Sequence, residues 1–150
     1  MLEVRKAAAG DEEEILKLIR ELAQVVGFAE HAPLIDMQIW LSTLKKMLDS
    51  PDWVFLLAQE GGNTVGLLLF FVRATLTTGM NRAKITEMVV SEEYRGKGVG
   101  RRLVEEAKRL ALQMGCSSLD MSTELDNAEA IGFYRKMGFT EEHTYLETRL

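Results

Sequence analysis

The stretch from Ile85 to Gly115 constrains this chain most, because three patterns of different period follow one another in it without a break. Ile85 to Val90 is an apolar, strand-like run, Ser91-Glu92-Glu93-Tyr94 is a polar turn, and a helical pattern begins at about Gly98. Val99, Leu103, Ala107, Leu110, Ala111 and Met114 recur at spacings of three and four, while Arg101, Arg102, Glu105, Glu106, Lys108 and Arg109 fall between them. The helix therefore has one buried stripe and one wet face. Between strand and helix stands Arg95-Gly96-Lys97-Gly98-Val99-Gly100. Alternate glycines ahead of a helix leave backbone N–H groups bare, and the unpaired donors of the first turn point at any anion in front of them. Arg95, Lys97, Arg101 and Arg102 gather here although positive charge opposes the macrodipole at a helix start, so a phosphate-bearing ligand is the natural reading. The loop fits neither G-x-G-x-x-G nor G-x-x-x-x-G-K-[ST], which disfavours the dinucleotide fold and the P-loop.

The pattern that fits is Arg-x-x-Gly-x-Gly, and a second follows near the C-terminus: Asn127-Ala128-Glu129-Ala130-Ile131-Gly132-Phe133-Tyr134-Arg135-Lys136-Met137-Gly138-Phe139. Together, in this order, they resemble the two signatures of the GNAT family of N-acetyltransferases, over almost the whole chain. The resemblance implies an α+β fold with a mixed, mostly antiparallel sheet of six to seven strands, a central parallel pair splayed apart, and helices on both faces. It implies acetyl-coenzyme A as acyl donor and no metal. Arg95, Gly96, Lys97, Gly98, Val99, Gly100 and Arg101 would hold the pyrophosphate, Met88, Val89 and Val90 the pantetheine arm, and Asn127 and Tyr134 would also touch the cofactor.

At 150 residues the chain has the size of one domain, Met1 to Leu150, and 47% hydrophobic with 27% charged residues is ordinary for a globular protein. The longest apolar run, Val65 to Val72, is too short to span a bilayer, and the N-terminus has no signal-peptide pattern, so a cytoplasmic protein with no membrane partner is expected. A net charge of −5 with no basic, aromatic-interleaved stripe argues against nucleic acid. The acidic surplus favours a cationic acceptor by long-range steering. Cys116 is the single cysteine, which excludes an internal disulfide and a multi-cysteine zinc site and reads as a small buried hydrophobe.

Leu2 to Lys6 alternates like a first strand, and Asp11 with Glu14 reads as a capping box opening a helix through Ile15, Leu18, Ile19, Leu22 and Val25. A second helix is expected from about Pro33 to Leu48, stopped by Ser50-Pro51. Trp53 to Gln59 and Thr64 to Arg73 are strands joined by Gly61-Gly62, and a turn over Leu76 to Asn81 precedes the strand that feeds the glycine loop. Ser118 to Thr123 reads as a strand, Ala128 to Met137 as a short helix, and Phe139 to Leu150 as a closing strand. In the family the first two helices and their connection flank the acceptor side, which makes Phe28, His31 and Trp40 candidate acceptor contacts; core packing is the plainer reading for Trp40, and a loop histidine with no role is the plainer reading for His31.

Acetyl transfer from a thioester to an amine needs a neutral amine, a stabilised oxyanion and a proton for the departing thiolate. By the resemblance, the backbone N–H of Val90 is the oxyanion donor and Tyr134 the proton donor. Glu87 is the only acid between Arg73 and Glu92 and the first candidate for the base, with Glu124 or a water chain as rivals. The glutamate of the diamine acetyltransferases aligns with Thr86 and that of the histone-acetylating relatives with Lys84, and one position changes the face of a strand unless a bulge intervenes. Patterns shared with diamine and aminoglycoside 6′-acetyltransferases favour a small cationic amine as acceptor. Protein lysines or N-termini, or a non-catalytic acyl-coenzyme A sensor, remain the alternatives. The family also implies a homodimer joined through the final strand.

Overall fold

The structure, a computed structural model, describes residues 1–25 and 36–150. In chain order its elements are β1 (Glu3–Lys6), α1 (Glu12–Val25), α2 (Met37–Asp49), β2 (Trp53–Glu60), β3 (Asn63–Thr75), β4 (Met80–Val90), α3 (Val99–Gln113), β5 (Cys116–Met121) and α4 (Ala128–Lys136). The five strands form one sheet in the order β1-β2-β3-β4-β5, antiparallel except for the last pair. The two hairpins close where the sequence has glycine: Gly61 and Gly62 take φ of 58° and 82°, and Gly79 takes 66°, a region that side chains with a Cβ avoid. The β4-to-β5 connection runs through α3, which is why that pair alone is parallel.

Two apolar clusters, one on each face, hold helices to the sheet. On one face α3 buries Val99, Leu103, Val104, Ala107, Leu110 and Ala111 against Leu56, Leu68, Phe70, Ala83 and Ile85, with α4 packed alongside through Phe133 and Tyr134. On the other, α1 and α2 bury Ile15, Leu16, Leu18 and Leu44 against Phe55, Leu57, Leu67, Leu69 and Val89, with Trp40 half-buried at the margin. Fully burying each such side chain contributes on the order of 1.5–3 kcal/mol, so the 3.6-residue stripe of α3 and the near-continuous apolar runs of β2 and β3 account for the layered architecture.

Several sequence expectations are corrected. The sheet has five strands among the described residues, because the expected closing strand over Phe139 to Leu150 is absent: Thr140 to Leu150 are all exposed, in neither helix nor strand. A strand needs a neighbour for its N–H and C=O groups, and this segment is held by the Arg135–Glu142 ion pair and by Tyr145 over Lys84 instead. The capping box is rearranged too. The Asp11 carboxylate accepts from both terminal nitrogens of Arg5 at 2.8 Å and from the Ala8 N–H at 2.8 Å, while Glu12 accepts from Gly10. Hydrogen bonding to Arg5 holds the Asp11 carboxyl down at about 2. Helix α2 starts at Met37, later than expected, because Asp36 caps it by accepting from the Gln38 N–H at 2.8 Å.

Helix α3 approaches the β3 backbone closely at Gly66. A Cβ placed on Gly66 would stand 3.0 Å from Val99 Cγ1 and 3.1 Å from Leu103 Cδ1, so the first turns of α3 rest directly on the β3 backbone. Gly66→Ala requires the Val99 and Leu103 side chains to give by a few tenths of an ångström and is expected to cost about 1–3 kcal/mol, lowering Tm by roughly 2–4 °C per kcal/mol. Calorimetric melting checks this, and an unchanged Tm would show that α3 does not depend on the contact.

Candidate active site

Strand β4 is regular along neither of its edges: the β5 edge shifts register between Asn81 and Ala83, and the C-terminal half carries a bulge on the β3 edge and the end of the β5 ladder. Towards β3, Phe70 pairs with Ile85 and Leu69 with Glu87, leaving Thr86 as an extra residue in a bulge. Ala83 and Ile85 therefore face α3, whereas Glu87, paired with Leu69, and Val89, paired with Leu67, face α1 and α2. Met88 turns back towards α3. Towards β5, the parallel ladder runs only from Asn81↔Cys116 to Ile85↔Met121. Beyond Ile85 the two strands part, and residues 86–90 of β4 line a gap.

The hydrogen bonds show which backbone groups face that gap. The Ser91 N–H donates to Val65 O at 2.9 Å, on the β3 side. Successive residues of a strand alternate their polar groups between edges, so the N–H and C=O of Val90, and likewise those of Met88, point to the β5 side. Arg95 Nε donates to Val90 O at 3.0 Å, folding the arginine back across the open end of the strand.

The glycine loop leads directly from this edge into α3. Gly96 and Gly98 have φ of 72° and 85°, and Gly98 occupies the N-cap with no side-chain hydrogen bond to the helix, so the first N–H groups of α3 have no cap. Gly100 packs beside Phe133 and Met88: a Cβ there would make ordinary contact with Phe133 Cζ at 3.4 Å and Met88 Cε at 3.7 Å. Lys97 stacks over Tyr94, 5.3 Å from the ring centroid. Arg101 turns to Glu105 at 2.9 Å, so part of the cationic cluster is spent within the helix. Two left-handed glycines, an uncapped helix start and flexible cations beside it suit a pyrophosphate, and the free edge suits an extended arm bearing amide groups.

Tyr134 stands across the gap. Its ring is edge-on to Phe133 and Phe139, with centroids 5.1 and 5.2 Å away, and its hydroxyl reaches Met88 Sδ at 3.7 Å. Burial pushes the phenol up to about 12, above the ordinary value of 10. The group therefore stays protonated across the whole neutral range, as a hydrogen-bond donor more than as an acid that surrenders its proton. Asn127 caps α4, its Oδ1 accepting from the Ala130 N–H at 3.1 Å, which leaves its amide NH2 for another partner.

The candidates for base and acceptor contacts are more scattered. Glu87 lies half-buried on the α1 and α2 face, and the Thr86 hydroxyl donates to its carboxylate. Glu124 lies in the exposed turn after β5, where its carbonyl accepts from the Asn127 N–H at 3.1 Å. Phe28 and His31 fall outside the described residues. Cys116 is buried, and burial pushes its thiol up, which suits a packing role.

Three residues escaped the sequence reading. Glu21 of α1 accepts from Ser91 Oγ at 3.2 Å, bringing a carboxylate to the end of β4; nothing in a helical pattern marks one exposed-face glutamate over another. The Met88 side chain approaches Tyr134, although only its backbone was singled out. Gly66 did carry a signal, since a lone glycine within an apolar strand marks a close backbone approach.

This geometry can be set beside known proteins. Thialysine N-epsilon-acetyltransferase of Sus scrofa is 26% identical over 143 residues, covering 90% of this chain and 82% of its own length. Aminoalkylphosphonate N-acetyltransferase of Salmonella typhimurium is 26% identical over 141 residues, covering 94% and 86%. The crystal structure of an aminoglycoside acetyltransferase from an uncultured soil metagenomic sample shares the fold, with a TM-score of 0.83 over 99% of this chain and 95% of its own at 20% identity. The splayed parallel pair, the glycine loop at its mouth and a family match spanning residues 12–139 agree, and the chain belongs to the Acetyltransferase (GNAT) family.

Proposed function

We propose that this acyltransferase, with residues 1–150 as a single domain, uses acetyl-coenzyme A to acetylate the primary amine of a small cationic molecule in the cytoplasm. The observation that carries the reading is the free edge of β4 ending at an uncapped, glycine-opened helix. Backbone groups of Met88 and Val90 pair with the pantetheine arm as a neighbouring strand would, while Arg95 to Arg101 hold the pyrophosphate. Burying such polar edge groups unpaired would be costly, which gives the open edge a physical purpose.

In this reading the Val90 N–H stabilises the oxyanion as the amine attacks the thioester carbonyl directly, forming a tetrahedral intermediate. Glu87, on the face towards α1 and α2, takes the proton of the incoming ammonium, directly or through water; Glu124 is the rival. The Tyr134 hydroxyl donates to the sulfur as it leaves. With its phenol at about 12 against roughly 8.5 for a free thiol, it stabilises the departing thiolate by hydrogen bonding while solvent completes the protonation. Glu21 and Glu87 both lie on the acceptor side, and relatives named for thialysine and for aminoalkylphosphonate point to small amines. Phe28 and His31 belong to the segment between α1 and α2 and complete the acceptor side in this proposal.

Gly98→Asp tests the phosphate loop. The site around Gly98 is open, and aspartate tolerates a left-handed backbone better than most residues, so the fold should survive while the new carboxylate repels the pyrophosphate. Coenzyme A affinity measured by calorimetry should fall at least about tenfold, a like-charge contact in a partly desolvated site costing more than 1.4 kcal/mol; unchanged affinity overturns the assignment. An assay of thiol release over a panel of amines separates enzyme from sensor, since a sensor releases no thiol with any of them.

Tyr134→Phe keeps the ring and its aromatic contacts and removes the hydroxyl alone. Cofactor affinity and Tm should hold while turnover at saturating acetyl-coenzyme A falls at least about tenfold. Wild-type turnover would mean that the sulfur is stabilised by another group.

We also propose a homodimer. Among the described residues β5 has an open outer edge and Thr140 to Leu150 is a strand-like sequence without a strand partner; Leu146 and Leu150 are 88% and 120% exposed. Light scattering at micromolar concentration should give about twice 16.9 kDa, falling to one chain mass when residues 140–150 are deleted. A full-length monomer overturns it.

A further inference from the structure

We infer that the side chain of Met88 sets the length of acyl group the enzyme accepts. The inference rests on the acyl-coenzyme A reading above and adds to it a residue that reads the acyl chain itself. Its thioether sulfur lies 3.7 Å from the Tyr134 hydroxyl, the only side-chain partner of that hydroxyl among the described hydrogen bonds. The Met88 methyl reaches the start of α3, 3.7 Å from where a Cβ on Gly100 would stand. The side chain thus bridges the mouth of the gap, from the free edge of β4 to α4 and the glycine loop, and it is half-buried against the α3 cluster.

The reaction requires a thioester sulfur within hydrogen-bond reach of the Tyr134 hydroxyl and a carbonyl oxygen at the Val90 N–H, two residues along from Met88. A methionine sulfur already sits near the first of these positions, so the end of this side chain lies against the space that the sulfur and the acyl group must share. Met88 is on the α3 face, opposite Glu87, so it limits the donor's acyl chain and leaves the acceptor side untouched. Methionine is unbranched and flexible, which lets its end withdraw enough to admit an acetyl group while still filling the room a longer chain would need. A hydrophobic wall of this kind discriminates by about 10–200-fold per methylene.

Met88→Ala removes Cγ, Sδ and Cε and opens room for two to three further chain atoms. Calorimetry with free coenzyme A, acetyl-coenzyme A and butyryl-coenzyme A reads the result without any knowledge of the acceptor amine. The wild type should bind acetyl-coenzyme A at least tenfold more tightly than the butyryl thioester, Met88→Ala should erase or reverse that ratio, and Met88→Leu, which nearly conserves volume, should retain it. Free coenzyme A carries no acyl group and in this reading meets Met88 through backbone groups that the substitutions retain, so its binding to all three proteins serves as the control for an intact cofactor site. A wild type without acetyl preference, or a ratio unchanged in Met88→Ala while free coenzyme A still binds, overturns the role of Met88 and leaves the cofactor reading standing. Failure of free coenzyme A to bind the wild type overturns both.

Discussion

The parting of β4 from β5 after Ile85 is the constraint on which the rest of the site depends. An antiparallel or parallel ladder that continued to Val90 would satisfy every backbone group of β4 and leave nothing for a ligand. Two features keep the strands apart. The bulge at Thr86 increases the local twist of β4 as the ladder ends, and Phe133 and Tyr134 of α4 meet the Met88 side chain of β4 in the widening space. The opening is therefore lined on the α3 face by these side chains.

The same bulge sorts the chemistry by face. Without the extra residue, Ala83, Ile85, Glu87 and Val89 would share one side by simple alternation. With it, Ile85 remains in the α3 core while Glu87 and Val89 turn to α1 and α2, and Met88 takes the α3 side. A carboxylate and an apolar thioether, neighbours in sequence, thus serve opposite sides of one strand: the first faces the side from which an amine would arrive, the second the side where an acyl chain would rest. Alternation alone puts the two on opposite faces; the inserted residue decides which face each one takes.

Close packing carries the loop to its place. Because Gly66 lets Val99 and Leu103 rest on the β3 backbone, the start of α3 stands beside the end of β4, and its uncapped N–H groups face the mouth of the gap. Arg95 reaches back to Val90 O and ties the loop to the strand from the other direction. The glycines at 96 and 98 supply the left-handed turns between these anchors, which a residue with a Cβ would adopt only with strain.

Much of this was legible in the chain itself. The switch from strand to glycine loop to helix between Ile85 and Gly115 required a crossover, and the crossover required a parallel pair; the stripe of α3, the hairpin glycines and the Asn127 cap follow from periodicity and local sterics, which are properties of neighbouring residues. What the chain could not disclose depends on partners distant in sequence. Asp11 spans to Arg5 because β1 and the start of α1 meet in space, Glu21 reaches Ser91 across seventy residues, and the Met88 side chain finds Tyr134 only once α4 has folded back over the gap. The clearest case is Thr140 to Leu150: its pattern is that of a strand, but a strand exists only where it pairs with another, and among the described residues this segment pairs with none although β5 leaves an outer edge open.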